Sequence, residues 1–323
     1  MKMRVLGKTG WKVSEIGYGA WGIGASWWGK TDDAESLASL RAAWDAGVNF
    51  FDTAYVYGDG HSERLIAEAL AGKPAIVATK IPPKNQEWPP KPSTPVSAAF
   101  PADWIRSCTE RSLTNLRRDT IDLTQFHVWT DAWLRDDGWK ETVAKLKAEG
   151  KIRAFGVSIN DHQPESALEL VASGLVDSVQ VIFNIFDQTP VEKLFPACRR
   201  YNVGVIARVP FDEGGLTGTL TSDTTFEKGD FRATYFRGDN LKKTVSRADD
   251  LKNLLNGEAK TLPELALKFI LAHPEVSTVI PGMRRAAHVS SNTAVSGSVP
   301  LSAATMDALK QHAWKRNFYG MWD

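Results

Sequence analysis

Four residues of the chain combine a carboxylate, a phenol, an ammonium group and an imidazole in a pattern that suits proton transfer. Asp52, Lys80 and His127 each come directly after a short apolar run, and Tyr57 follows Asp52 by five residues. Taken singly, such residues are more often caps, core residues or surface residues. Acid, base and cation types at consecutive strand ends instead indicate a site for general acid–base catalysis.

The apolar runs predict eight strands that would bring these four side chains together. Their predicted bounds are Ile16–Ala20, Val48–Phe51, Ala75–Thr79, Ile121–Phe126, Ile152–Val157, Ser178–Ile182, Val203–Ala207 and Thr278–Ile280. Parallel strands that alternate with helices are buried on both faces, which accounts for the apolar character of these runs. Eight repeats favour a (β/α)8 TIM barrel, in which the carboxyl ends of the strands meet at one face and carry the active site.

Helical periodicity and capping residues fill the intervals between the strands. The first helix should begin at a capping box formed by Asp32 and Glu35 and run through Trp44. The other predicted helices are Ser62–Leu70, Ala102–Leu116, Trp139–Ala148, Pro164–Ala172, Val191–Arg200, Leu262–Ala272 and Ala286–Val295. The elements outside the repeat are two extra helices near Asp249–Leu255 and Ser302–His312 and an N-terminal β-hairpin of Met3–Leu6 and Lys12–Ile16. We predict a single barrel domain over residues 1–323.

The composition narrows the possible partners and compartments. The chain has 323 residues, of which 43% are hydrophobic, and its 39 basic and 38 acidic residues give a net charge of +1. This balance favours neither nucleic acid nor a membrane as partner, and no apolar run approaches the roughly 18 residues that span a bilayer. The two cysteines and an N-terminus without a signal-peptide core predict a cytoplasmic protein. The histidines form no metal-binding motif, so we predict no metal site.

Two nucleotide-binding patterns lie in the loop after the first predicted strand. Residues 17–22 fit G-x-G-x-x-G, but the next helix begins only near Asp32, whereas a dinucleotide fold needs it directly after the glycines. Residues 24–31 fit the P-loop pattern, which leaves a P-loop NTPase as an alternative function. Trp27 and Trp28 would crowd a phosphate-binding nest of backbone N–H groups. We therefore interpret this segment as a loop whose tryptophans wall a pocket.

The segment around Tyr57 resembles the signature of the aldo-keto reductases, and the resemblance extends over essentially the whole chain. The signature residues are Phe51-Asp52-Thr53-Ala54-Tyr55-Val56-Tyr57-Gly58 with Ser62-Glu63. Further matching segments are Thr79-Lys80, Gln125-Phe126-His127, Gly156-Val157-Ser158, Val179-Gln180 with Asn184, Ile280-Pro281-Gly282 and Asn292. The resemblance implies an oxidoreductase that reduces aldehydes or ketones of small molecules with NADPH, or oxidises the corresponding alcohols.

The resemblance also implies that Asp52, Tyr57, Lys80 and His127 are the catalytic residues. A free tyrosine has a pKa near 10 and donates its proton reluctantly. A lysine cation beside it lowers that pKa toward the working pH, and a carboxylate keeps the lysine charged and in place. The histidine would hydrogen-bond the carbonyl oxygen and orient it, while the cofactor supplies the hydride.

The nicotinamide end of the cofactor is expected beside polar groups at the later strand ends. By the family pattern, Ser158, Asn160 and Gln180 bind the carboxamide, although an isoleucine here separates the serine from the asparagine. Arg208 stands where relatives often have a ring-stacking tyrosine, and we expect it to lie under the nicotinamide by cation–π contact. The other residues assigned to the cofactor are Trp21, Pro210, Phe211, Gly214, Gly215, Leu216, Gly218, Gly282, Arg284, His288, Ser291 and Asn292.

The phosphate end of the cofactor is expected after the last two strands, where barrels often bind phosphate. The glycines of residues 214–218 suit a backbone-lined pyrophosphate loop. Arg284 opens the helix after the last strand, and its guanidinium could bind a 2′-phosphate bidentately, which favours NADPH while leaving NADH possible. His288 stands where many relatives have a second arginine. Ser291 and Asn292 would contact adenine or ribose.

The substrate beyond a small carbonyl compound stays open. Aromatic side chains that would wall the pocket, and that suit aromatic or sugar-like faces, are Trp21, Trp27, Trp28, Tyr55, Trp88 and Trp129. A second function on the same fold is a redox-sensing regulatory subunit with slow turnover. A panel of carbonyl substrates would separate the two, since only the enzyme turns over rapidly. The oligomeric state also stays open.

Overall fold

The computed structural model describes residues 1–24, 29 and 31–320, and its strands follow the predicted order. The strands are β1 (Met3–Val5), β2 (Lys12–Ser14), β3 (Tyr18–Gly19), β4 (Phe50–Asp52), β5 (Ile76–Ile81), β6 (Ile121–Phe126), β7 (Ile152–Ser158), β8 (Ser178–Ile182), β9 (Gly204–Arg208) and β10 (Val276–Val279). Strands β3 to β10 form one sheet in which each strand is parallel to its neighbours along the chain.

Backbone contacts between the first and last strands of this sheet close it into a barrel. Ile16 bridges Val279, and Gly19 bridges Gly282, both in parallel register. The N–H of Gly17 donates to the carbonyl oxygen of Val279 at 2.8 Å. The predicted (β/α)8 barrel is therefore confirmed, and the carboxyl ends of its strands lie at one face.

The N-terminal hairpin covers the opposite end of the barrel. Strands β1 and β2 pair in antiparallel register, with Met3 opposite Ser14, as predicted. Leu6 and Val13 of the hairpin are fully buried and belong to the apolar cluster that includes inward side chains of the barrel strands. The N–H of Lys8 donates to the carbonyl oxygen of Asn202, just before β9, at 2.7 Å. The hairpin thus seals the amino ends of the strands and leaves the carboxyl ends for a site.

Helices occupy the intervals between the strands. Their bounds are α1 (Trp21–Gly24), α2 (Asp33–Asp45), α3 (His61–Ala69), α4 (Val96–Ala99), α5 (Ala102–Leu116), α6 (Gly138–Ala148), α7 (Leu168–Ser173), α8 (Leu194–Tyr201), α9 (Phe231–Tyr235), α10 (Asn240–Lys252), α11 (Leu262–Leu271), α12 (Ala286–Thr293) and α13 (Ala303–Lys310). The predicted cap of α2 is present, because the N–H of Glu35 donates to Asp32 Oδ1 at 2.8 Å. Among the described residues, no helix has the length and apolar character needed to cross a bilayer.

The elements differ from the predictions mainly at their ends. The helix expected from Pro164 begins as a 3₁₀ turn over Pro164–Ala167 and becomes α-helical only at Leu168. The extra helix near Asp249 begins earlier than expected, at Asn240, whereas the one near Ser302 lies where it was predicted. Short helices α1, α4 and α9 occupy the three long loops that follow strands, because the apolar residues within these loops pack onto the barrel face.

The seam between β3 and β10 gives a test of barrel closure. A Cβ atom at Gly19 would lie 2.5 Å from the carbonyl oxygen of Ile280, a backbone atom on the other side of the seam. Gly19→Ala should therefore lower the free energy of unfolding by about 2 kcal/mol in urea titrations of the unliganded protein. Its bridge partner Gly282 is the control, since a Cβ atom there meets no described atom within 4 Å. Equal losses for the two variants would contradict this account.

Candidate active site

A buried ion pair lies at the carboxyl ends of β4 and β5. Lys80 Nζ is 2.5 Å from Asp52 Oδ1 and also donates to the carbonyl oxygen of Thr53 at 2.7 Å. Lys80 is 1% exposed and Asp52 is 3% exposed, so each charge depends on the other for compensation. The neighbouring strands place the pair, because Asp52 of β4 is opposite Ala78 of β5.

Two amide side chains from more distant strands complete the coordination of the Asp52 carboxylate. Gln180 Nε2, on β8, donates to Asp52 Oδ2 at 2.7 Å, and Gln125 Nε2, on β6, lies 3.5 Å from the same oxygen. From sequence, Gln180 was predicted to bind the cofactor, and Gln125 was not predicted to have a role. Nothing in the local pattern reveals that strands four positions apart in the barrel share one carboxylate.

Tyr57 and His127 stand next to the ion pair. Lys80 Nζ lies 5.2 Å from the centre of the Tyr57 ring, and the Tyr57 and His127 rings are 5.9 Å apart at 72°. The β4–α3 turn fixes Tyr57, because its N–H donates to the carbonyl oxygen of Ala54 at 3.0 Å. The N–H of His127 donates to the carbonyl oxygen of Ile81 at 3.0 Å. The structure therefore brings together all four residues predicted to be catalytic.

The surroundings shift the pKa values of these groups, and the pKa of Tyr57 moves upward in the protein without cofactor, opposite to the lowering by Lys80 that is expected from the sequence. Burial raises the pKa of Tyr57, and the Asp52 carboxylate raises it further, so the phenol holds its proton. Burial lowers the pKa of Lys80, while the nearby Asp52 carboxylate opposes that shift. Burial, followed by the charges of Lys80 and Arg208, holds the pKa of His127 well below its usual range. His127 is therefore a neutral imidazole near neutral pH.

Arg208 brings a second cation to the same pocket. It is the last residue of β9, and its guanidinium donates to Asp161 Oδ1 at 2.7 Å and to the carbonyl oxygen of Ile159 at 3.0 Å. Its positive charge opposes the rise in the pKa of Tyr57 and adds to the lowering of the pKa values of Lys80 and His127. The guanidinium is thus held beside the site by an acidic partner from the β7–α7 loop.

Ser158 and Asn160 occupy different environments. Ser158 ends β7 opposite Gln180 of β8 and is 2% exposed, so it is buried next to a residue that binds the Asp52 carboxylate. Asn160 is used by the protein itself, because its side chain donates to the carbonyl oxygen of Trp129 at 2.9 Å and accepts from the N–H of Trp129 at 3.3 Å. Asn160 therefore joins the loops after β6 and β7.

The loops after β9 and β10 contain the features expected for an anionic cofactor. The loop after β9 turns at Gly214 with φ of 104° and continues through Gly215, the buried Leu216 and Gly218, beyond Pro210 and Phe211. After β10, Gly282 is open to the surface. Asn292 is buried, and its Nδ2 has no hydrogen-bond partner among the described residues. Backbone N–H groups, an amide donor and guanidinium groups together fit a dinucleotide with phosphates.

Arg284 lies just before α12, whose N-cap residue is the neighbouring Arg285. Its aliphatic part lies against α1, where a Cβ atom at Gly22 would be 2.9 Å from Arg284 Cδ. Burial and the charges of Arg232 and Arg285 lower the pKa of Arg284, while the carboxylates of Asp230 and Glu35 oppose this shift. His288 is exposed, its pKa is lowered first by partial desolvation, and the carbonyl oxygen of His288 accepts from Ser291 Oγ at 3.2 Å.

The aromatic residues predicted to wall the pocket separate into two groups. Trp21 stacks on Tyr57 with ring centres 6.3 Å apart, and the Trp88 ring meets the His127 ring edge-on at 4.7 Å. Trp129 is fully buried between other tryptophans in the core, and Tyr55 accepts a hydrogen bond from Arg111 of α5 at 3.0 Å. The structure thus gives both side chains contacts away from Tyr57 and His127, and their assignment to the pocket stays a prediction. Trp27 and Trp28 lie outside the described residues.

Two aromatic residues near the pocket were not predicted. Phe231 of α9 lies 5.5 Å from Trp21 between ring centres, and Tyr319 stacks on Phe231 at 5.9 Å. They are far apart in sequence and belong to no recognised motif. The one signal that could have identified them is an aromatic residue in a long loop and another near the C-terminus.

A protein-family model described as the aldo/keto reductase family matches residues 15–313 of the chain. The chain is 30% identical to aldo-keto reductase YhdN of Bacillus subtilis over 304 residues, covering 92% of this chain and 89% of that one. It is also 30% identical to the NADH-specific methylglyoxal reductase of Escherichia coli over 330 residues, covering 97% and 98%.

Solved structures give the same picture of the fold. The holo form of an aldo-keto reductase from Bacillus halodurans superposes with a TM-score of 0.77 at 27% identity, covering 100% of this chain and 99% of that one. A glycerol dehydrogenase from Gluconobacter oxydans superposes with a TM-score of 0.78 at 29% identity, covering 96% and 94%.

The buried ion pair predicts strong coupling between its two members in protein stability. Lys80→Met leaves the Asp52 carboxylate buried without its cation and should lower the free energy of unfolding by about 3 kcal/mol. Adding Asp52→Asn should recover part of that loss, which a double-mutant cycle in urea measures. The control is the exposed pair of Lys84 and Asp103, whose atoms are 3.5 Å apart, and it should show almost no coupling. Additive losses at Lys80 and Asp52 would refute the interdependence.

Proposed function

The chain belongs to the aldo/keto reductase family, and from that premise we propose that it reduces aldehyde or ketone groups of small molecules with NADPH. The observation that carries the proposal is the position of Tyr57 and His127 beside the buried pair of Lys80 and Asp52. One face of the barrel thus holds a proton donor, a cation that favours loss of that proton and a neutral hydrogen-bond donor. The bound cofactor would supply the hydride.

Tyr57 is the proposed general acid. Its phenol keeps its proton at neutral pH, because burial and the Asp52 carboxylate both raise its pKa. As negative charge develops on the substrate oxygen, the Lys80 ammonium group stabilises the phenolate that forms when Oη gives up its proton. Asp52 and Gln180 hold the ammonium group in place, since the carboxylate is bonded to both. The reverse steps would oxidise an alcohol.

His127 is the proposed orienting residue for the carbonyl oxygen. Because its imidazole is neutral, one ring nitrogen carries a proton that can be donated to the substrate oxygen. Trp88 packs against its ring and Tyr57 lies on another side, so the ring has little freedom to rotate. A fixed donor aimed at a developing oxyanion lowers the reaction barrier without reorganisation.

The remaining cofactor assignments are part of the proposal. Ser158, beside Gln180, is placed to bind the nicotinamide carboxamide, and Arg208 is placed to lie under the ring. We assign the pyrophosphate to the backbone of residues 214–218 and the adenine end to Ser291 and Asn292. NADH stays an alternative cofactor, because a similar protein of Escherichia coli is named as NADH-specific.

The proposed substrates are small and polar. Two similar proteins are named for methylglyoxal and for glycerol, which are both small oxygenated molecules. The aromatic rings of Trp21, Trp88 and Phe231 near the pocket would exclude water from the reacting carbonyl. We also propose a cytoplasmic location, which the free, buried thiols of Cys108 and Cys198 support.

Tyr57→Phe should abolish carbonyl reduction while leaving cofactor affinity nearly unchanged. Only the hydroxyl is removed, so the ring still packs against Trp21 and His127. The loss should fall on kcat and amount to about 10²–10⁴-fold, the usual contribution of general acid catalysis. Steady-state rates with a panel of aldehydes, followed by cofactor absorbance, measure it.

The control for this experiment is Tyr55→Phe, because Tyr55 shares the loop but bonds to Arg111 on α5. That variant should retain nearly all activity. A Tyr57→Phe protein that binds cofactor normally and keeps full kcat would exclude Tyr57 as the acid, and His127 would become the next candidate.

Arg284→Ala should weaken NADPH binding and spare NADH binding. A charge-assisted bidentate contact contributes about 1.5–3 kcal/mol, so the Kd for NADPH should rise about tenfold or more. Arg285→Ala is the control, because that guanidinium is exposed and lies 3.4 Å from Glu35. Fluorescence titration with both dinucleotides measures the effect. Equal losses for NADPH and NADH would remove Arg284 from the 2′-phosphate site.

A further inference from the structure

Glu213 is a buried carboxyl group that the proposed mechanism does not use. It lies in the loop after β9, directly before the glycines assigned to pyrophosphate, and is 5% exposed. Its backbone φ is 54°, in the left-handed region that non-glycine residues seldom adopt. A buried acid in a strained conformation at the edge of a binding loop is costly, and such costs concentrate at functional positions.

Ionisable groups from several elements surround this carboxyl group. The hydroxyl of Tyr319, near the C-terminus, donates a hydrogen bond to Glu213 Oε1. Glu213 also interacts electrostatically with Asp212, Arg208, Asp161, Tyr57 and Tyr235. Burial raises the pKa of Glu213 to about 7, the Tyr319 hydrogen bond opposes this, and the Asp212 charge adds to it. The proton is therefore gained and lost in the physiological range.

The C-terminal segment, residues 314–320, fixes Tyr319 on this carboxyl group. The Arg316 guanidinium bonds to Asp212 Oδ1, and both side chains are almost fully buried. The N–H of Trp314 donates to the carbonyl oxygen of Phe186 at 2.8 Å, and Arg237 donates to the carbonyl oxygen of Gly320 at 2.9 Å. Contacts made by residues before and after Tyr319 thus hold its side chain against Glu213.

We propose that Glu213 couples proton uptake to cofactor binding, so that its carboxyl group is neutral when the anionic dinucleotide occupies residues 214–218. This inference rests on the proposed function, because it uses the pyrophosphate site assigned there. The physical reason is repulsion between an ionised carboxylate and the phosphates beside it. Arg208 cannot cancel that repulsion alone, because its guanidinium is already bonded to Asp161.

The sign of the effect follows from linkage. A nearby anion stabilises the protonated form, so the bound cofactor raises the pKa of Glu213 above its value of about 7 in the free protein. Binding is then tightest below neutral pH, weakens as Glu213 ionises in the free protein, and levels off above the pKa of the complex. One like charge at this degree of screening changes a binding constant about tenfold.

Glu213→Gln tests the proposal, because the amide keeps the shape of the acid and cannot ionise. Fluorescence titrations with NADPH at about pH 6 and about pH 8.5 bracket the transition. Wild type and variant should bind alike at the lower pH, and the variant should bind about tenfold more tightly at the higher pH. The cofactor and the histidines titrate in both proteins, so their contributions cancel in the comparison. Equal pH dependence of the two Kd values would overturn the proposal.

The control is Glu227→Gln, the same chemical change at an exposed position of the same long loop. It should follow the wild-type curve. Calorimetry in two buffers of different ionisation enthalpy should detect proton uptake on binding near pH 7 in the wild type and less uptake in Glu213→Gln. A wild-type protein that binds neither NADPH nor NADH at any pH would instead refute the proposed function.

Tyr319→Phe provides a second variant that leaves the carboxyl group in place. Removing the hydroxyl removes a hydrogen bond that favours the carboxylate, so the pKa of Glu213 should rise. The midpoint of the curve of Kd against pH should move to higher pH, with its amplitude unchanged. A midpoint that stays in place would show that the titrating group is not Glu213, and thermal melting confirms that both variants are folded.

Discussion

The ion pair of Lys80 and Asp52 is the interaction on which the rest of the site depends. Two charges that are 1% and 3% exposed would destabilise the fold unless every lone pair and proton found a partner. The barrel meets this demand with the carbonyl oxygen of Thr53 and the amide of Gln180. Because those partners come from different strands, the pair requires a closed barrel. Burial first, and then the charges that the fold has already fixed around them, set the direction of the pKa shifts of Tyr57 and His127.

The sequence predicted the barrel and brought out the four catalytic candidates, because both signals are local. Buried parallel strands are short apolar runs, and a polar residue at the end of a run lies at the open face. The direction in which a side chain points is not a local property, because it depends on residues far away in the chain. Gln180 donates a hydrogen bond to Asp52, Asn160 donates one to Trp129, and Tyr55 accepts one from α5. The assignments of Tyr55 and Trp129 to the pocket stay predictions, and Phe231 was missed for this reason.

Steric contacts explain two of the glycines in the nucleotide-binding patterns near the N-terminus. Gly19 belongs to the seam where the first strand meets the last, and a side chain there would press on the carbonyl oxygen of Ile280. Gly24 ends α1 against the Tyr57 backbone, where a Cβ atom would lie 2.6 Å from Tyr57 Cβ. At Gly19 and Gly24 the missing side chain therefore permits close approach of backbone segments. The close contact at Gly24 positions Tyr57, which is the proposed proton donor.

The loop after β9 shows how the barrel tolerates unfavourable backbone at its open face. Val209, Asp212 and Glu213 all have positive φ, and conformations of this kind cost about 1–3 kcal/mol each. The C-terminal segment offsets part of that cost through the bonds from Arg316 and Tyr319 to the two carboxyl groups. The loop and the segment therefore stabilise each other. Substitutions near residue 316 should therefore affect the proposed pyrophosphate loop, although about a hundred residues of sequence separate the loop from that position.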